Sequence, residues 1–100
     1  GYVNDAAYAA EYVRAIMEAG TLGRMAVEYK LKEKGVPAAV AREAMEAYGE
    51  EEERDIARRQ LARLMKDGDP KEERRRVSAA LIRRGFAYGV IASLFSEDEE

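Results

Sequence analysis

The chain of 100 residues has no cysteine, no histidine and no tryptophan. Without cysteine there are no disulfides, thiolate ligands or thiol nucleophiles. Without histidine, imidazole metal ligands and every Ser-His or Cys-His catalytic arrangement are excluded as well. Prolines number only two, runs of β-branched residues are almost absent and strand-like alternation is missing, which argues against a sheet. Uninterrupted apolar stretches, such as Val90-Ile91-Ala92, are only a few residues long and fall far short of the roughly 20 residues of a spanning helix. No basic region followed by an apolar run opens the chain, so no signal peptide is expected. These absences lead us to expect a cytoplasmic, non-enzymatic protein with no metal and no cofactor. Its length suffices for a single domain with its own core and a radius of gyration of roughly 13 Å.

Charge, by contrast, is plentiful and unevenly placed. The formal net charge is -3. Residues 1–53 hold six basic and eleven acidic groups, residues 54–84 eleven basic and five acidic, and residues 85–100 four acidic. A basic segment between acidic ones can bind a polyanion locally although the whole chain is acidic. The same segment can also be read as a salt-bridged helical surface.

Helical punctuation divides the chain into six segments. Asn4 or Asp5 caps a first helix over 5–19, with Tyr8, Tyr12, Val13, Ile16 and Met17 on one stripe and Gly20 as its left-handed end. A second helix from Thr21 or Leu22 to Lys34 carries Val27 and Leu31 and closes at Gly35. Pro37 is expected at the first position of a third, which runs to about Tyr48 with Val40, Ala41, Ala44 and Met45 inward. The acidic run Glu50 to Glu53 suits a helix N-terminus. It opens a fourth helix that turns Ile56, Ala57, Leu61, Leu64 and Met65 inward and stops at Gly68. Asp69-Pro70-Lys71-Glu72 reads as cap, first turn and capping box of a fifth, ending at Arg84-Gly85. A sixth covers about 87–96 and precedes an acidic tail, Glu97 to Glu100, expected to fray.

The chain also matches itself. A shift of fifty pairs Val27 with Val77, Leu31 with Leu81, Lys34 with Arg84, Gly35 with Gly85, Val36 with Phe86, Val40 with Val90 and Met45 with Phe95. A shift of forty-eight pairs Ala9 with Ala57, Val13 with Leu61, Met17 with Met65 and Gly20 with Gly68. The fold class expected is therefore all-α, two tandem three-helix repeats over 1–48 and 49–100 that form an extended array with a continuous core.

Chemistry-bearing groups are few. Glu50 to Glu53 and Glu97 to Glu100 lie at helix ends or the terminus, with no apolar pocket to raise a pKa. Ser78, Ser93 and Ser96 have no histidine to activate them. The tyrosines could stack nucleobases, but Tyr8, Tyr12 and Tyr29 have helical spacing and are expected in or beside the core, leaving Tyr88 the least committed. Basic side chains remain. Arg59, Arg63 and Lys66 follow i, i+4, i+7 on the fourth helix, and Arg76 and Arg83 with Arg75 sit on the fifth. Together they are the candidate anion- and partner-binding residues, and their spacing allows one ridge. Guanidinium groups pair with phosphate or carboxylate through two parallel hydrogen bonds, so such contacts would go to phosphates rather than to bases.

These residues carry a family resemblance. Gly1-Tyr2-Val3-Asn4-Asp5, followed by Tyr8-Ala9 and Tyr12-Val13-Arg14, resembles the segment entering the middle repeat of the RecX regulatory proteins, where Tyr-Leu-Asp-Asp precedes an aromatic-Ala-x-x-Tyr-Val-Arg helix. Leu31-Lys32-Glu33-Lys34-Gly35-Val36-Pro37 resembles the family's Leu-x-x-Lys-Gly-Ile/Val-Pro boundary. Leu81-Ile82-Arg83-Arg84-Gly85-Phe86 resembles the Leu-x-Arg-Arg-Gly-Phe of its last repeat. The resemblance implies an all-helical bacterial protein of three tandem repeats, two of them present here. It implies binding to RecA recombinase and its DNA filament and suppression of recombinase activity; weak phosphate contacts to DNA, no membrane and a monomeric state are expected beside it. It transfers no catalytic motif. Two other readings stay open: a natural or engineered helical interaction scaffold, and a helical DNA binder acting without RecA.

Overall fold

The computed structural model describes residues 4–97 and contains six α-helices: α1 Asp5–Ala19, α2 Arg24–Glu33, α3 Ala38–Ala44, α4 Glu50–Leu64, α5 Pro70–Arg83 and α6 Tyr88–Glu97, with a 3-10 turn at Met45–Ala47 after α3. No strand occurs among the described residues. Gly1, Tyr2 and Val3 of the family resemblance and residues 98–100 of the acidic tail lie outside them.

Several starts and stops are fixed locally. Asn4 Oδ1 accepts from the Ala7 amide at 3.1 Å, and Gly20 turns left-handed at φ 65° while its amide takes Ile16's carbonyl. Gly35 and Gly85 repeat that turn at φ 80° and 88°, a region costly for other residues. Asp69 caps α5 through the Lys71 amide, with Pro70 at its first position. A capping box forms one helix earlier than expected. Glu52 Oε1 accepts from the Gly49 amide at 3.0 Å, whereas Glu72 makes no such bond among the described residues.

Four boundaries depart from the sequence reading. Pro37 precedes α3 instead of opening it, its ψ of 146° keeping it extended while its carbonyl accepts from Ala41. The third segment finishes in the 3-10 turn, and Tyr48 beyond it is fully buried. α2 begins at Arg24 because the residues ahead of it are engaged elsewhere. α4 stops at Leu64, well before Gly68, and Gly68 is not left-handed. Arg76 donates to Leu64's carbonyl and Glu73 takes the Lys66 amide, so the chain leaves the helix there, and Met65 points outward, 36% exposed.

The two sequence shifts correspond to equivalent places in the structure. Val27, Leu31, Val77 and Leu81 are all fully buried, as are Ala9 and Ala57, and one apolar cluster runs through both halves. α1 packs on α3 as α4 packs on α6. The pairing extends to polar groups. Lys34 Nζ lies over the Tyr12 ring, and at the matching places Arg84 donates to Gln60 Oε1.

The halves join through backbone. Gly23 donates to Arg84's carbonyl at 2.9 Å and Met25 to Gly85's at 3.2 Å. The approach is too close for side chains: a Cβ on Gly23 would meet Gly85's carbonyl at 2.4 Å, and one on Gly85 the Ala26 Cβ at 2.4 Å. End-to-end joining stretches the molecule to 51 × 22 × 19 Å, with a radius of gyration of 15.0 Å where a sphere-like domain predicts roughly 13 Å. No described helix is long and apolar enough to cross a membrane.

Leu31→Ala and Leu81→Ala, at matching fully buried sites, should each destabilise by about 2–5 kcal/mol. Urea denaturation of the two variants checks this, and a near-zero loss at either site would break the equivalence.

Candidate partner-binding groove

Where α4 runs beside the C-terminal end of α1, a continuous groove forms. One stretch is lined by Ala10, Glu11, Arg14, Met17, Glu18, Ala47 and Arg59; the adjoining one shares Glu18 and Arg59 and adds Gly20, Gln60, Ala62 and Arg63. Arg59 and Arg63 reach it because they are four residues apart on the flank of α4 whose other side buries Ile56, Ala57 and Gln60. Arg14 comes from the opposite wall. It carries an exposed ion pair with Glu11 at 3.6 Å, a contact worth little in water.

Gln60 lines the groove, and further buried polar groups lie at the joint between the halves. Gln60, 3% exposed, donates through Nε2 to Gly20's carbonyl at 2.5 Å and accepts from Arg84. Glu53, 2% exposed, accepts from the Arg24 amide at 3.0 Å, a carboxylate at the N-terminal end of α2 where the helix dipole favours it. Arg24 Nε donates to Tyr48's carbonyl at 2.7 Å, and the Tyr48 hydroxyl to Leu22's at 2.6 Å. Burial, and secondarily the charge of Glu53, raise the Tyr48 phenol well above the ordinary tyrosine value, against the pull of Arg24 and Arg59.

The six sequence-selected basic residues divide. Arg59 and Arg63 share the groove. Arg75 and Arg83 are exposed on α5, which contributes nothing to its walls. With Val77 and Leu81 buried, helical geometry turns Arg75, Arg76 and Arg83 all to the outer side of α5, Arg76 and Arg83 close together and Arg75 roughly 80–100° away from them around the axis. Lys66 lies in the turn after α4, its amide held by Glu73 at 2.7 Å. Arg76 makes a two-point pair with Glu73, at 2.8 and 3.1 Å, and caps Leu64. The pair and the Lys66 amide hold the Glu73 carboxyl below its ordinary range. The six therefore form no single ridge.

Sequence reasoning missed Arg14, Gln60 and Glu53. Arg14 had one available signal, its place on the polar face of the first helix. Tyr8 and Tyr12 are half-buried and stack with ring centroids 6.2 Å apart, whereas Tyr29, expected at the core, is 63% exposed on the outer face of α2, and Tyr88 is 74% exposed. Among the described residues no group of three or more carboxylates is placed to hold a metal ion.

Comparison with known proteins follows this geometry. Models of the second and the third three-helix domain of RecX match residues 4–45 and 50–95. The regulatory protein RecX of Geobacillus thermodenitrificans is 35% identical over 100 residues, covering 96% of this chain and 37% of its own length. That of Corynebacterium efficiens is 34% identical over 103 residues (95% and 49%), and that of Myxococcus xanthus 37% over 97 (90% and 51%). The chain thus spans between about a third and a half of these relatives. The crystal structure of RecX from Lactobacillus salivarius superposes with a TM-score of 0.87 at 22% identity, over 95% of this chain and 64% of that one.

Two pH limits follow from the polar contacts. The raised Tyr48 value means that the unfolded chain ionises first, so this contribution to stability is intact below about pH 10 and is lost as pH rises above it. Tyr48→Phe should cost about 1–3 kcal/mol by orphaning Leu22's carbonyl and should flatten the alkaline fall. The lowered Glu73 value works in the other direction. Its contribution is present above about pH 4.3 and is lost as pH falls through the folded value, and Glu73→Gln should remove that acid limb. Urea midpoints across pH 2–5 and 8–11.5 test both.

Proposed function

This chain belongs to the RecX family, and on that premise we propose that it is a regulatory binding module that engages RecA recombinase and RecA-DNA filaments and mainly inhibits recombination. It works by occupancy and not by catalysis, as a cytoplasmic monomer in the control of DNA repair and the SOS response. The observation that supports this reading is the groove: Arg14, Arg59 and Arg63, drawn from both halves of an elongated array, line one cleft. Guanidinium groups so placed suit a partner that presents phosphate or carboxylate along its length, as a protein filament on DNA does. Lys66, Arg75 and Arg83 are exposed and available for outer contacts. Arg76, already paired with Glu73 and Leu64, contributes first to the α4–α5 turn.

The test is a titration of RecA filaments preassembled on single-stranded DNA, comparing the wild-type chain with Arg59→Glu/Arg63→Glu. Both positions are exposed, so stability should change by no more than about 0.5 kcal/mol per site, while filament affinity at low salt should fall by about tenfold or more. Phosphate contacts would also shrink the salt slope by nearly one unit for each one lost. Wild-type affinity in the double variant would remove the groove from this role. Equal binding to naked DNA would favour a DNA binder that needs no recombinase.

A further inference from the structure

The corner between α2 and α3 in the first half corresponds to that between α5 and α6 in the second, and the two are filled differently. Under the shift of fifty, Arg24, Ala38, Ala41 and Met45 match Arg74, Tyr88, Ile91 and Phe95. The second half packs its corner with its own side chains. Ile91 is 4% and Phe95 7% exposed, and the Arg74 guanidinium lies over the Phe95 ring, 4.9 Å from its centroid. The smaller residues of the first half leave a slot of about 510 Å³, walled by Arg24, Ala38, Ala41 and Met45, that shares no lining residue with the arginine groove. Charge rims this open corner: Glu28, Arg42 and Glu46 line it where the second half has Ser78, Ala92 and Ser96. Arg24 is set in place beforehand, its Nε donating to Tyr48's carbonyl at 2.7 Å and its amide to Glu53 at 3.0 Å, while its ion pair with Glu28 is long at 3.9 Å. Arg42 makes no ion pair among the described residues.

We propose that this slot binds a segment of another protein that presents an aromatic side chain with a carboxylate beside it. The ring takes the space that Ile91 and Phe95 occupy in the other half, packed on Ala38, Ala41 and Met45 with the Arg24 guanidinium on its face. The carboxylate pairs with Arg42 through two parallel hydrogen bonds. Glu28 and Glu46 limit the charge of the occupant. They repel a polyanion such as a nucleotide or a DNA backbone, whereas a single carboxylate finds its partner in Arg42. Met25 and Tyr29, 62% and 63% exposed on the adjoining face of α2, extend the apolar contact beyond the slot. The most exposed aromatic of a second copy, Tyr88, does not qualify, because residues 85–96 contain no carboxylate. This inference is independent of the RecA reading.

The probe is a labelled Gly-Ser dodecapeptide with Phe-Asp at its centre, titrated against the whole chain by fluorescence anisotropy and amide chemical shifts, beside matched peptides carrying Ala-Asp and Phe-Asn. The Phe-Asp peptide should bind saturably, with its largest shifts at Ala38, Ala41 and Arg42, and about tenfold or more tighter than the Ala-Asp peptide. Ala38→Tyr/Ala41→Ile installs the residues of the second half, and should keep the helical signal and melting point while weakening the peptide by about tenfold or more. Arg42→Glu, at an exposed position that the fold does not need, should erase or reverse the preference for Phe-Asp over Phe-Asn, so the proposal stays testable should the filled variant misfold. Absence of saturable binding, equal binding of the Ala-Asp peptide, shifts centred on Arg14, Arg59 and Arg63, or full affinity in the folded, filled variant would each overturn the proposal. So would adenosine monophosphate binding the slot more tightly than the peptide, which would make it a nucleotide site, or self-association that the filled variant loses, which would make a second copy the occupant.

Discussion

Two glycines, Gly23 and Gly85, meet so closely that neither admits a methyl group, and the architecture hangs on that contact. Close approach lets the amides of an emerging helix reach the last carbonyls of another, so α2 begins where α5 ends. Each helix has polar groups at its end that no intrahelical bond satisfies, and this joint pairs part of one set with part of the other. The favourable ends of two helix dipoles also face each other across it. The joint sets the direction of the array, its elongation and the place where the C-terminal end of α1 meets α4.

Polar burial concentrates beside that joint for a physical reason. A turn between packed units leaves carbonyls such as those of Gly20, Leu22 and Tyr48 away from regular secondary structure, and a buried carbonyl without a donor is costly. Gln60, the Tyr48 hydroxyl and Arg24 supply those donors, and Glu53 accepts the amide that remains. The first half has Tyr12 where the second has Gln60, which marks how repeats diverge. The backbone plan is kept while side chains adapt to what lies next to them. The arginines divide their labour along the same line. Arg24, Arg76 and Arg84 are taken up by carbonyls, a carboxylate and an amide of this chain, and Arg59 and Arg63 are left at the rim of the groove.

The groove inherits its character from this arrangement. It is a crease between successive units rather than an enclosed pocket, open along its length and lined by charge of both signs, with Glu11 and Glu18 beside Arg14, Arg59 and Arg63. Such a crease suits an extended partner better than a small molecule, because no apolar enclosure is present to desolvate a ligand. Membership of the RecX family agrees with that form, and the fold likeness to solved RecX structures extends over nearly the whole of this chain.

The sequence by itself determined the helices, most of their caps and the repeat. Asn4, Gly20, Gly35, Asp69-Pro70 and Gly85 act through local backbone geometry, and Val27, Leu31, Val77 and Leu81 through a spacing that any helix translates into a face. The family was legible as well, because its motifs are those local junctions. What only tertiary structure decided were the places where distant segments compete for the same group. α4 ends at Leu64 because Arg76 and Glu73, a dozen or fewer residues on, claim its last polar groups. Tyr29 faces outward because Val27 and Leu31 alone satisfy that helix's buried side. Arg14 joins Arg59 and Arg63, and Arg75 and Arg83 do not, because the joint at Gly23 and Gly85 brings the C-terminal end of α1 up to α4, while α5 lines neither wall of the groove. Helical periodicity specifies a direction around one axis. How two axes lie against each other depends on contacts between residues sixty positions apart, and no local pattern encodes those.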